Sequence, residues 1–215
     1  MMPKNTIRDL IDKWPFALGE SPFHIKGVAY KGTLESISKD SGSRLSGVKD
    51  RIADERPELS KFIDGPFLAS SKYDVFGLPL FTFYVAQELG RDFKAHVYRI
   101  SRAQLEADLS GVYRFLLKLA SPERVLKQIV LVTNQYFDFG EMELLESKKK
   151  SATMVRRDFP LLLLPWYEDV AKGYGEVALE RAGAKDPKVL CRVEERGAKI
   201  HSLEAGDLYL DASWR

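Results

Sequence analysis

The sequence predicts an α+β fold, with an N-terminal helical bundle packed on a C-terminal β-β-α-β-β antiparallel sheet. Three observations predict it. Apolar residues recur every three or four positions as far as residue 135, as one buried helix face requires. From Tyr136 onward the period drops to two, the signature of half-buried strands. One further helical pattern, Pro165 to Ala182, separates two pairs of alternating segments. We expect one domain over residues 1–215, with a mainly helical lobe at 1–135 and an α+β lobe at 136–215.

The elements follow in order. Ile7, Leu10, Ile11 and Trp14 form one face of a short helix, which Asn5 or Thr6 can cap and Pro15 ends. Phe23 to Gly32 changes phase at Gly27 and reads as a short bulged strand or the extended start of a helix. Ser38 to Gly47, with Asp40-Ser41-Gly42-Ser43, reads as a loop. Residues 46–63 read as helix with a break near Pro57, and 73–90 as helix with Gly90 just past its end. Residues 91–120 form the strongest helical pattern. Ser121 and Pro122 then open another helix through Val125, Leu126, Ile129 and Val130.

In the second lobe, Phe137 and Phe139 alternate with Asp138, and Gly140 shifts the phase before Met142 and Leu144. This predicts a strand bulged at Gly140. Lys148 to Ser151 turns the chain into a second strand at 152–157. The helix at 165–182 places Trp166, Val170, Tyr174, Val177 and Ala178 on one face, to cover the sheet. Lys188 to Glu195 is a third strand, Arg196-Gly197 begins the return, and Asp207 to Trp214 is a fourth. There Leu208, Leu210, Ala212 and Trp214 share one face, which implies an antiparallel sheet covered on one side.

Composition excludes several classes. With 33 Lys+Arg against 31 Asp+Glu the net charge is +2, too small to choose a nucleic-acid partner. The densest basic run, Lys148-Lys149-Lys150, reads as a solvated turn. The single cysteine, Cys191, cannot close an intrachain disulfide. Its phase with Val189 and Val193 marks a small buried hydrophobe. No run approaches the ~20 apolar residues of a membrane span, and the first fourteen residues lack a signal peptide's apolar core, so a cytoplasmic protein is expected.

No nucleotide-binding, metalloprotease or nucleophile-elbow motif is present. His24, His96 and His201 are far apart in sequence and read as satisfied surface or core residues, and neither metal nor cofactor is expected. Arg102 and Glu106 are spaced as an i,i+4 pair on a charged helix face. The sharper reading puts Arg102 or Arg114 at a pocket rim, holding an anionic group. Tyr136-Phe137-Asp138-Phe139 and Trp166-Tyr167 should meet at the seam between lobes, as core or as the wall of an apolar pocket. The candidate ligand-binding residues are therefore Tyr98, Arg102, Tyr113, Arg114, Tyr136 and Trp166, and no catalytic residue is assigned.

A resemblance adds to this. Asp108 to Arg114, Leu119-Ala120-Ser121-Pro122, Tyr136 to Gly140, Pro165-Trp166-Tyr167 and Ala182 to Asp186 resemble segments of an uncharacterised family expanded in myxobacteria. The closing β-β-α-β-β order is similar to haem-NO-binding and vinyl-reductase-type sensor domains, and to a subunit class of vesicle-tethering complexes. The resemblance covers residues 105–215. Haem-binding relatives hold the propionates with a Tyr-x-Ser-x-Arg motif. Here Tyr98-Arg99-Ile100-Ser101-Arg102 has the residue types at the wrong spacing, so haem is not carried over. The expected function is a non-catalytic sensor or regulatory module in bacterial signalling that binds an apolar small molecule or lipid. The second reading is an interaction or scaffold subunit acting as a homodimer, and an enzyme with dispersed residues comes third.

Overall fold

The computed structural model describes residues 5–108 and 121–215. Its first lobe is helical. Helix α1 (Ile7–Lys13) starts at a capping box in which Thr6 Oγ1 accepts from the Asp9 backbone N–H while the Asp9 carboxylate accepts from that of Thr6. The short strand β1 (His24–Lys26) pairs in unbroken register and runs straight into α2 (Gly27–Ser41), so the phase change at Gly27 marks the start of a helix after an extended lead-in and not a bulge. The expected loop at 38–47 is instead helical. A 3-10 turn at Gly42–Arg44 joins α2 to α3 (Leu45–Glu55), because Ile37 and Ser41 are buried and Gly42, at φ +56°, absorbs the change of direction.

Helix α4 (Pro57–Ile63) follows the break at Pro57. The expected helix at 73–90 loses its first turn to a strand, β2 (Lys72–Asp74), and α5 spans Gly77–Glu88. The buried Asp74 carboxylate explains this. It accepts from the Gly19 N–H at 2.8 Å, Ser21 Oγ at 2.6 Å and the Phe76 N–H at 2.9 Å, holding an extended corner. Helix α6 is Phe93–Asp108, and the rest of the predicted 91–120 helix lies outside the described residues. Ser121 is the N-cap residue and Pro122 the first residue of α7 (Pro122–Tyr136).

The second lobe carries β3 (Met142–Lys148), β4 (Ser151–Pro160), α8 (Leu164–Arg181), β5 (Lys188–Ile200) and β6 (Leu203–Ser213). The four strands form one antiparallel sheet ordered β3-β4-β6-β5. Leu208, Leu210, Ala212 and Trp214 are all buried, as the alternation required. Two details are corrected. Phe137 to Gly140 connects α7 to β3 rather than opening a strand, and the bulge falls between Leu144 and Glu146. The β5–β6 return is at His201-Ser202, because Gly197, at φ +65°, sits in a bulge between Glu195 and Ala198 that lets the strand continue.

The lobes are tied at several places among the described residues. Ile25 of β1 bridges to Phe137, and the His24 N–H donates to Asp138 Oδ1 at 2.8 Å. Phe23 packs edge-on against Phe139 at 5.3 Å between centroids. Helices α6 and α8 cross at Gly173, where an added Cβ would stand 2.8 Å from the Tyr98 carbonyl oxygen.

Candidate functional site

Arg156 is the centre of the seam. On β4 it shares the inward phase of Ala152 and Met154, and it is 0% exposed. The Phe137 and Tyr167 rings lie 4.4 and 4.6 Å from its Cζ, and Phe159 and Phe139 stand at 5.0 and 5.3 Å. Its Nε donates to the Gly140 carbonyl at 2.8 Å and its Nη2 to that of Phe139 at 2.6 Å. Gly140 is required here. At φ +64° it turns these carbonyls inward, and a Cβ would reach within 3.1 Å of Nη2. The third nitrogen, Nη1, is buried with no hydrogen-bond partner. The guanidinium thus lacks a carboxylate, and burial pulls its pKa below the ordinary arginine value. Four aromatic faces and two carbonyls offset a desolvation cost that otherwise reaches several kcal/mol.

A second polar group lies on the crossing of α6 and α8. Tyr98 donates to Glu176 Oε2 at 2.5 Å, and Arg102 donates to Glu180 Oε2 at 2.8 Å. Burial first, and then Glu176, raises the Tyr98 phenol above its usual pKa. Arg102 therefore does hold an anionic group, but one from its own chain. The i,i+4 pair with Glu106 does not form, and Glu106 faces Arg181 at 3.6 Å instead.

Deeper between α6, α8 and β5, Asp169 has one carboxylate oxygen buried without a partner. Burial raises its pKa to about 6, against the pull of Lys172. Cys191 is buried, and desolvation raises its thiol to about 12, which makes it the hydrophobe expected and a poor nucleophile.

The histidines stand apart. His24 Nδ1 meets Asp138 Oδ2 at 2.9 Å at a partly exposed surface. His201 is exposed at the β5–β6 turn, its ring 5.5 Å from that of Phe23. His96 is buried on α6, and its Nδ1 faces Arg99 Nη2 at 3.1 Å. Among the described residues, no group of three or more His, Cys, Asp or Glu is placed to hold a metal ion.

Of the six candidates, Tyr98 and Arg102 lie together at the helix crossing. Tyr136 is the half-buried last residue of α7, and Trp166 is buried with its ring 6.2 Å from that of Tyr167. Tyr113 and Arg114 lie outside the described residues. Arg156, the residue that organises the seam, was not among the candidates. The signal for it was present, since a charged residue in the inward phase of a strand must find partners in the core.

Neither a protein-family model nor a curated protein matches the chain. The α+β fold of the chain is similar to that of H-NOX domains of solved structure. The Fe(II) unliganded H-NOX protein from K. algicida is similar with a TM-score of 0.59 at 13% identity, over 89% of this chain and 97% of that one. An oxygen-binding H-NOX domain related to soluble guanylate cyclases gives 0.56 at 11% identity, over 89% and 95%. An H-NOX protein from S. oneidensis gives 0.54 at 12% identity, over 88% and 96%. One similar structure concerns haem redox potential tuned by porphyrin distortion, so the fold raises the question of haem. The residues here do not fit it: of the three histidines, the buried one has its Nδ1 committed to arginine donors and the other two stand at the surface.

Proposed function

We propose that the chain is a non-catalytic sensor or regulatory module of bacterial signalling, acting in the cytoplasm, whose ligand is an apolar small molecule or lipid carrying one hydrogen-bond acceptor. The observation that carries this reading is Arg156. It is a fully buried guanidinium with no acid partner and a donor nitrogen, Nη1, that meets no hydrogen-bond acceptor, set among aromatic rings where the lobes join. Such a donor costs roughly 1–3 kcal/mol while unmet, and an acceptor on a ligand removes that cost. The fold supports the reading, since an oxygen-binding H-NOX domain shares it over most of both chains. The commitment of the charged groups to one another, as in the buried Asp207 between Arg157 and Arg196, supports a binding role over catalysis. No helix among the described residues is long and apolar enough to cross a membrane.

Native mass spectrometry of the purified protein tests this. A bound mass that is shed on denaturation, and is lost in Arg156→Met, is expected. A bare chain in both proteins refutes the ligand reading, and a bare dimer turns the assignment to the scaffold reading.

A further inference from the structure

We propose that this chain works its H-NOX-type fold without haem, and that His96 is fixed as the Nε2–H tautomer, an acceptor for two arginines rather than an iron ligand. The inference rests on the fold and on the placement of the histidines, not on the ligand reading above.

An imidazole that ligates iron through Nε2 must leave a lone pair there, with its proton on Nδ1 pointing at a carbonyl or carboxylate. All three histidines of the chain lie among the described residues. His96 is the one with a buried ring. Its Nδ1 has Arg99 Nη2 at 3.1 Å and Arg91 Nη1 at 3.5 Å, both pure donors. Asp40 does not rescue the other tautomer. It lies 3.9 Å from Nδ1, and both of its oxygens are engaged by Arg91 and Arg99. The Nδ1 lone pair is therefore spent on the arginines, and the proton sits on Nε2, which is buried with no partner. Moving that proton to Nδ1 would set N–H against N–H beside two cations. Burial first, and then the same cations against the pull of Asp40, keep the ring neutral, with its pKa lowered to about 4. His96 instead completes the Asp40 clamp that joins α2 to α6.

The other two histidines and the cysteine fall short for different reasons. His24 has a carboxylate on Nδ1, but its side chain is 34% exposed and it shares Asp138 with Lys72. His201 stands exposed at a hairpin turn. The Cys191 sulfur remains a thiol, its pKa raised to about 12, where a haem ligand must be a thiolate.

The full chain, expressed with added δ-aminolevulinate and then titrated with hemin, provides the test. We expect no band near the Soret wavelength in the purified protein and none approaching one haem per chain in the titration. Long-range 1H–15N spectra of His96 should show the Nε2–H pattern unchanged from pH 5.5 to 8, with or without hemin. One haem per chain, purified or reconstituted, overturns the proposal. An Nδ1–H pattern at His96 overturns its second half without reference to any variant that fails to fold. The two proposals fail separately: a bare chain in native mass spectrometry refutes the ligand reading alone, and a haem mass refutes this one alone.

Discussion

Arg156 shows how a single residue can be placed by sequence phase and yet not understood from it. Its inward position follows from Ala152 and Met154, but only Phe159 among its partners comes from its own strand, and the other three rings and both carbonyls come from the α7–β3 connection and α8. Arg102 is similar, since its partner Glu180 lies 78 residues away. Truncation of Arg156 to Ala should cost on the order of 3–5 kcal/mol, because it empties a core volume and orphans the Phe139 and Gly140 carbonyls. Met refills the volume, so Arg156→Met should cost roughly half as much. Urea denaturation at pH 7 measures both, and equal losses would contradict the volume argument.

Asp169 belongs to the same scale. It ionises near 3.9 when unfolded and about 6 when folded. The raised value means that the neutral acid suits the fold. The contribution is fully present below about pH 4 and is lost as pH rises through 6, by on the order of 3 kcal/mol. The groups facing it are Lys172 and Glu168 on its own helix and Asp92 and Lys94 at the start of α6. Asp169→Asn removes the titration. Its stability relative to wild type should therefore rise between pH 4 and 7, and a difference that stays flat would show that the carboxyl is not desolvated.

At the scale of elements, most helices and all four strands of the sheet were legible from periodicity, and their ends were not. The 38–47 segment has a loop's composition, yet burial of Ile37 and Ser41 holds it helical. Gly197 looked like the turn between β5 and β6, but His201 and Ser202 make it, at φ +46° and +72°, conformations that side chains alone do not advertise. The α6–α8 crossing depends on Gly173, and its requirement for a bare Cα is invisible without the partner helix. A Cβ there meets the Tyr98 carbonyl oxygen at 2.8 Å and Ser101 Cβ at 2.9 Å, backbone and stem that cannot swing aside. Gly173→Val should cost about 2–3 kcal/mol or more by thermal denaturation and part Tyr98 from Glu176. A variant as stable as wild type would mean that the crossing is looser than this geometry.

For the whole molecule, the two-lobe reading leaves open whether the lobes fold together. Most of the buried apolar residues form one contiguous cluster from Leu10 to Trp214 among the described residues, crossing the seam through Phe23, Phe139, Phe159 and Tyr167. A helical lobe released alone would expose Phe23 and Ile25, and a sheet lobe released alone would expose the rings around Arg156. Each loss would remove roughly 1.5–3 kcal/mol per large apolar side chain, more than a marginal domain can spare. We therefore predict a single cooperative unfolding transition, with calorimetric and van't Hoff enthalpies in agreement. The three tryptophans allow a second check, since Trp14 reports on the helical lobe and Trp166 and Trp214 on the other. Variants that keep only Trp14 or only Trp214, the others changed to Phe, should give coincident fluorescence midpoints once each is referenced to its own circular dichroism curve. Separated midpoints within one variant would mean that the seam joins two independently stable units. Arg156 would then lie at a movable joint rather than in a shared core.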